Sequence, residues 1–360
     1  MVRFKLTYEQ ITQLNNFFSL LQYQGTLLQF SIRNKKLKVG LNENNIILIT
    51  QLDLDKDVPN VEFCLTLQLI KQLYSLKKEY YLFEIDDTLL KIHFDKNVLN
   101  LSLLYGSQLN VDLTKIDIMQ IPDEFKEILP DEFKEIQNPV ELSQQLSLIS
   151  NLPKDYNFYN IINFKDGLIY GEVFGNYFII KNGQLELNQQ IYYLYLPFII
   201  QTLSSSDVKY KIQDNQLVLI NEHSYIELPI YTQNIQPVQD FSTFKELTSF
   251  KINKQQFLDD LSILRLVPTS YFQLQLTINN NILQLQVNDI SNIPSVFNIT
   301  LQDLQGVNSL QFSLNSETLQ KIITLCEDTI CFKVLSEGGD TPTLLNIFTQ
   351  NYQLYLPLSI

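Results

Sequence analysis

Few residues of this 360-residue chain belong to types that do chemistry, and their spacing keeps them apart. The two histidines, His93 and His223, each fall at a turn late in a run of strands, with no cysteine or carboxylate at zinc-ligand spacing. The three cysteines, Cys64, Cys326 and Cys331, sit inside apolar strand or helix patterns. They read as core residues, not as a disulfide framework, which suits a reducing compartment. Paired carboxylates occur at Asp86-Asp87 and Asp259-Asp260, on turns or helix surfaces where solvation is the expected state. There are only 10 glycines, and apart from Gly338-Gly339 none cluster, so no phosphate-cradling loop or nucleophile elbow is present. These residues predict no catalytic group, no metal site and no cofactor. What remains is chemistry of binding: lysines on predicted helices and apolar residues on predicted strands.

Composition agrees with a folded binding protein. The apolar share is 45% and the charged share 18%, which separates the chain from disordered sequences. With 19 Tyr and 23 Phe among many Ile, Leu and Val, the bias is toward strand. Alanine and tryptophan are absent and arginine occurs only at positions 3, 33 and 265, a pattern expected of an AT-rich genome. The net charge of −13 opposes nonspecific coating of nucleic acid by the whole surface, though not by one nonacidic face. No signal-peptide core opens the chain and no run approaches a membrane span, so a cytoplasmic protein is expected.

The elements that position these residues recur three times. VEFCLTLQLIKQLYSLKK from Val61, QIYYLYLPFIIQTLSSSD from Gln190 and SLQFSLNSETLQKIITLCED from Ser309 are three versions of one strand–helix start. Phe63, Tyr193 and Phe312 align, as do Ile70, Ile200 and Leu319, and Leu73, Leu203 and Ile322, at offsets of 130 and 119 residues. A period of that length is a domain, not a solenoid unit. Helices are expected over 8–22, 66–78, 139–150, 196–206, 254–266 and 316–327, with Ile11, Leu14, Phe18 and Leu21 on one face of the first. Alternating segments such as YFQLQLTIN and ILQLQVND predict sheets with one buried and one wet face. The boundaries are 1–120 for the first domain, 137–232 for the second and 248–360 for the third. Residues 121–136 form a linker carrying the duplication PDEFKEIL–PDEFKEIQ, and 233–247 form a Pro- and Gln-containing connector. The fold class is α+β, each domain having two helices packed on antiparallel sheets.

Three such domains, closing on Leu356, Pro357, Leu358, Ser359 and Ile360 after a Tyr-containing strand, resemble the bacterial-type DNA sliding clamp. That family is the beta subunit, or processivity factor, of the replicative DNA polymerase, and the AT-rich composition suits a phage or other divergent member. The resemblance implies three tandem DNA-clamp domains and a ring of two subunits packed head to tail. Helices would line a hole threaded by double-stranded DNA, bound without regard to sequence. It implies DNA polymerase and a clamp loader ATPase as partners, a homodimer, no membrane, and the host cytoplasm if the gene is a phage's. It also implies a hydrophobic cleft that takes a short linear peptide. Carried over by local match, the cleft comprises Tyr159, Val173, Gly175, Tyr177, Phe178, Pro237, Leu354, Leu356, Pro357, Leu358 and Ile360. The chain departs from the family at Asn176, Tyr177 and Ser359, where bacterial members often carry basic residues, so a different peptide preference is implied.

The DNA-facing candidates are Lys71, Lys77, Lys78, Lys254, Arg265 and Lys321, with turn residues Arg33, Lys35 and Lys36 as further possibilities. Over the six expected helices the six basic residues are balanced by Glu9, Glu141, Asp259, Asp260, Glu317 and Glu327. A neutral lining, rich in Gln, Asn and Ser, keeps a second reading open: a clamp-fold or other β-rich assembly protein that does not encircle DNA.

Overall fold

The computed structural model describes residues 1–18, 26–43, 45–86, 88–103, 111–120, 133–150, 152, 160–173, 175–182, 185, 187–231, 235, 237–269 and 273–359. Among them the helices are α1 (Tyr8–Phe18), α2 (Leu67–Leu76), α3 (Pro139–Ser150), α4 (Leu196–Leu203), α5 (Lys254–Leu264) and α6 (Ser316–Leu325). Each lies where apolar periodicity places it. Ile11, Leu14 and Phe18 are buried along α1, whereas Leu21 lies outside the described residues.

Polar residues set the helix starts. Thr7 and Gln10 form a reciprocal capping box at α1, the Thr7 amide donating to Gln10 Oε1 at 2.9 Å and the Gln10 amide to Thr7 Oγ1 at 3.2 Å. Thr66 accepts from the Leu69 amide at 3.3 Å, Asn253 from Gln256 at 3.0 Å and Asn315 from Thr318 at 2.9 Å. In an alanine-free chain these caps satisfy amide groups that the first helical turn leaves unpaired. The aligned columns are core positions at their ends and looser in the middle copy. Phe63, Ile70, Leu73, Phe312, Leu319 and Ile322 are fully or nearly fully buried, while Tyr193 and Ile200 are only half-buried. There the strand stops early, at Tyr192, and a 3-10 turn over Tyr193–Tyr195 leads into α4.

The chain forms two compact units, residues 1–140 with 197–230, and residues 141–196 with 231–360. The first holds an eight-stranded antiparallel sheet. Its order is Val61–Thr66, Leu27–Arg33, Lys36–Glu43, Ile46–Asp53, Ser224–Pro229, Gln216–Ile220, Lys209–Gln213 and Lys134–Glu135. The pairs Ile49↔Tyr225 and Ile47↔Glu227 join strands from the first and second repeats within this one sheet. A second sheet runs Val2–Thr7, Tyr80–Ile85, Leu89–Phe94 and Asn97–Ser102. Phe4 links the two sheets, stacking on Phe83 at 4.9 Å and lying 6.1 Å from Phe63.

Residues 113–120, which carry no periodic signal, form a 3-10 helix. Val111, Leu113 and Ile116 pack on Ile49, Val218, Ile220 and Tyr225. Ion pairs of 2.5 Å, Lys38–Asp117 and Lys115–Glu227, fix the segment at its sides. A side chain at Gly40 would lie 2.4 Å from Leu113 Cδ2, so glycine is what lets this segment sit on the sheet. Of the duplicated linker, residues 121–132 lie outside the described residues, but Lys134–Glu135 join the sheet edge beside Lys209 and Tyr210, and Ile136 is buried.

The second unit holds a nine-stranded sheet. Its order is Gln189–Tyr192, Ile161–Lys165, Leu168–Val173, Asn176–Lys181, Tyr352–Pro357, Leu344–Phe348, Thr329–Ser336, Lys245–Asn253 and Gln302–Gly306. The pairing of Tyr177 with Tyr355 and Phe178 with Leu354 joins the second and third repeats. A four-stranded sheet, Pro294–Thr300, Ile282–Asn288, Gln273–Asn279 and Ser309–Asn315, completes the unit. In its two inner segments Leu274, Leu276, Ile278, Leu283, Leu285 and Val287 are buried in strict alternation with polar residues.

Candidate functional site

The strand Tyr352–Pro357 lies inside the nine-stranded sheet, with Asn176–Lys181 on one side and Leu344–Phe348 on the other. Cross-strand partners share a face and successive residues alternate. Phe178 and Leu354 therefore point one way, with Val173 and Leu356, and all four are at most 3% exposed. They are core. Glu172, Tyr177, Tyr355 and Pro357 belong to the opposite face.

On that face the aromatic rings pack together. Phe241 stacks on Tyr355 with centroids 3.8 Å apart and meets Tyr177 edge-on at 5.2 Å. Phe244 adds an edge contact to Phe241 at 5.4 Å. The Gln239 amide donates to Tyr177 Oη at 2.8 Å, which ties the connector to the strand. Burial pushes the Tyr177 hydroxyl pKa up, against the Gln239 hydrogen bond, and the nearby Glu172 charge adds to the rise.

Beside this cluster opens a cavity of about 490 Å³ lined by Asn160, Ile161, Asn163, Tyr170, Gly171, Glu172, Gly175, Tyr177, Gln190, Pro237 and Gln239. The size suits a side chain together with the backbone that carries it. Two buried amides form part of the wall, Gln190 Nε2 donating to Asn163 Oδ1 at 2.8 Å. Asn163 Nδ2 in turn donates to the Tyr170 carbonyl at 3.3 Å. Gly171 has no room for a side chain, since a Cβ there would lie 2.8 Å from the Ile161 carbonyl and 3.1 Å from Phe178 Cζ. Gly175 has φ +72° and would bring a Cβ to 3.7 Å from Pro357.

The structure thus brings together Gly175, Tyr177 and Pro237 of the expected cleft, with Pro357 against Gly175. It buries Val173, Phe178, Leu354 and Leu356 on the other side of the sheet. Leu358 is half-buried, its amide donating to the Thr343 carbonyl at 2.9 Å. Ser359 exchanges backbone hydrogen bonds of 2.7 and 2.9 Å with Ser313. Tyr159 and Ile360 lie outside the described residues. Sequence reasoning missed Tyr170, Glu172, Gln239, Phe241 and Tyr355. The period-2 parity of Asn176–Lys181 and Tyr352–Pro357 would have separated Tyr177 and Tyr355 from Phe178 and Leu354.

Of the basic helix residues, Lys78, Lys254, Arg265 and Lys321 are engaged. Lys78 Nζ pairs with Asp95 at 2.8 Å, and that hydrogen bond raises its pKa. Lys254 Nζ donates to the Cys326 carbonyl at 2.7 Å, closing the C-terminus of α6. Arg265 donates to Gln320 on α6. Lys321 pairs with Glu317 one turn earlier at 2.8 Å, holding that carboxyl below its usual range. Lys71 is half-buried and Lys77 is exposed, the latter capping α2 in the left-handed conformation at φ +50°.

The tertiary fold also gives His93 a carboxylate that its sequence neighbours do not supply. Glu84, itself buried, lies 3.0 Å from His93 Nε2 and pairs with Arg3 at 2.5 Å. Among the described residues no group of three or more His, Cys, Asp or Glu stands together as metal ligands.

No protein-family model matches the chain, and no curated protein matches it. Solved structures do. The chain is similar to DNA polymerase III subunit beta from Pseudomonas aeruginosa at TM-score 0.66 and 9% identity, over 99% of both chains. It is similar to the subunit from Borrelia burgdorferi, solved with a natural product, at TM-score 0.70 and 12% identity over 99% of both. The Thermotoga maritima subunit gives TM-score 0.70 and 10% identity over 100% of both. The architecture is an α+β DNA-clamp fold. More narrowly, it is the three-domain fold of the bacterial polymerase beta subunits, present here along the whole chain.

Proposed function

We propose that this protein is a nonenzymatic DNA sliding clamp. A head-to-tail homodimer would encircle duplex DNA and tether DNA polymerase and other partners through a peptide cleft in the second unit. The full-length likeness to polymerase beta subunits, with neither chain left uncovered, carries this reading. The aromatic cluster and cavity at Tyr177, on the sheet face opposite Phe178 and Leu354, support a cleft there. Domains over 1–120, 137–232 and 248–360 would supply the six domains of a two-subunit ring. Processivity would come from enclosure, so lysines need contribute only weak, sequence-blind attraction. An ATP-driven loader would open the ring, and the protein would work in the cytoplasm, that of the host if a phage encodes it. No helix among the described residues is long and apolar enough to cross a membrane.

The engaged lysines favour one competing reading, a clamp-fold scaffold that does not encircle DNA. Primer extension on a long circular template with the cognate polymerase and loader separates the two. The clamp reading expects longer products on adding the protein; unchanged product length removes it in favour of the scaffold.

A further inference from the structure

The cavity beside Tyr177 has a definite electrostatic character. Among the described residues of its lining, Glu172 supplies the only charged side chain. It stands directly opposite Tyr177 across the strand pair Leu168–Val173 and Asn176–Lys181, hence on the same face. It is exposed, and it forms no ion pair with any described residue. The other described lining residues are uncharged, among them the Asn163–Gln190 amide pair, Tyr177, Pro237 and the exposed turn glycine Gly175. An exposed carboxylate in a lining whose other described residues are uncharged attracts a cation and repels an anion. Guanidinium suits it better than ammonium, because it is planar, more weakly hydrated, and pairs with a carboxylate through two parallel hydrogen bonds. An adjacent tyrosine adds the attraction of its ring for a cation.

We propose that this cavity receives an arginine side chain of an extended partner peptide, with Glu172 as its counter-ion and Tyr177 and Pro237 as its walls. The assignment rests on the reading of this region as a peptide cleft and gives that cleft a charge preference. Partners would carry a basic residue where they meet the second unit, and acidic residues at that place would be rejected.

The probe is Nα-acetyl-arginine amide, titrated into the full-length protein and followed through the backbone amide signals of Gly171, Glu172 and Gly175. Nα-acetyl-citrulline amide, the same shape without the charge, is the comparison. Saturable shifts at these amides are expected, with citrulline binding about threefold to fivefold more weakly, the effect of an exposed ion pair. Glu172→Gln should bring arginine down to the citrulline level, and Glu172→Lys should abolish arginine binding. Equal binding of the two probes, binding indifferent to Glu172, or no shift at these amides overturns the proposal. The cleft itself is tested separately with a peptide from the cognate polymerase. If that peptide shifts the Tyr177 region while arginine amide does not, the cleft stands and the arginine site falls; the reverse pattern keeps the arginine site and removes the cleft.

Discussion

Side-chain parity decides what each apolar residue near the candidate cleft does. Phe178 and Tyr177 are neighbours in sequence, yet one is sealed in the core and the other walls a cavity. Replacing a fully buried phenylalanine by alanine removes transfer energy and leaves a hole, at a cost of about 3–5 kcal/mol. Phe178→Ala should therefore lower the unfolding free energy of the second unit by that amount, measured by urea unfolding followed by tyrosine fluorescence and circular dichroism. A shift below about 1 kcal/mol, a surface-like value, would contradict the burial described for it. The same parity explains why an apolar run ending in Tyr-Leu-Pro-Leu is not a loose hydrophobic end. Leu354 and Leu356 fill the sheet's buried face, and only Tyr355 and Pro357 turn to the other side.

At the level of elements, Lys78 and Lys321 already carry carboxylate partners, Asp95 and Glu317. The pair Lys78–Asp95 is instructive because Asp95 sits in a turn with φ +52°. Asparagine adopts that left-handed conformation as readily as aspartate, so Asp95→Asn removes the counter-ion and keeps the turn. If the lysines at the end of α2 face DNA, the released Lys78 should strengthen association with a duplex. The slope of log K against log salt should steepen by up to about 0.9, one additional phosphate contact. Fluorescence anisotropy on a labelled duplex across a salt series measures it, and an unchanged slope would remove Lys78 from the DNA-facing set. The 3-10 helix Leu113–Gln120 shows a different kind of element, one started by the Asp112 cap on Thr114 and seated by tertiary contacts. It has no amphipathic period to announce it, and its place depends on Gly40 leaving room, on Asp117 meeting Lys38 of a sheet strand and on Lys115 meeting Glu227 of another.

On the scale of the whole molecule, sequence repeats and compact units do not coincide. Residues 141–196 belong to one unit and 197–230 to the other, so the second repeat is shared. Its strand Ser224–Pro229 depends on Ile46–Asp53 of the first repeat for one edge, and Asn176–Lys181 depends on Tyr352–Pro357 of the third. An isolated strand edge of this apolarity is a site for mispairing. A fragment of residues 137–232 should accordingly be unfolded or aggregated in isolation, as judged by hydrogen exchange and sedimentation. A stable, protected monomer would show that the second repeat folds by itself.

Pattern alone determined the α+β class, the helices and the threefold recurrence, because apolar periodicity is a local property that each segment carries. It also determined the helix starts, since Thr66, Asn253 and Asn315 cap through contacts only three residues long. The site was legible only as a set of neighbourhoods. Gly175, Tyr177 and Pro237 of the expected cleft line one cavity, while their neighbours Glu172, Phe241 and Tyr355 were not legible, because a short apolar strand does not state which of its faces is covered. Tertiary structure decided that, through the register pairing Tyr177 with Tyr355. It likewise decided the fate of the charges: Lys78 meets Asp95, Lys254 the Cys326 carbonyl at the end of α6, and Arg3 the carboxylate of Glu84. Such partners lie beyond the reach of local pattern, since chain folding sets which charges come within a few ångströms of one another and Coulomb attraction rewards only those that do.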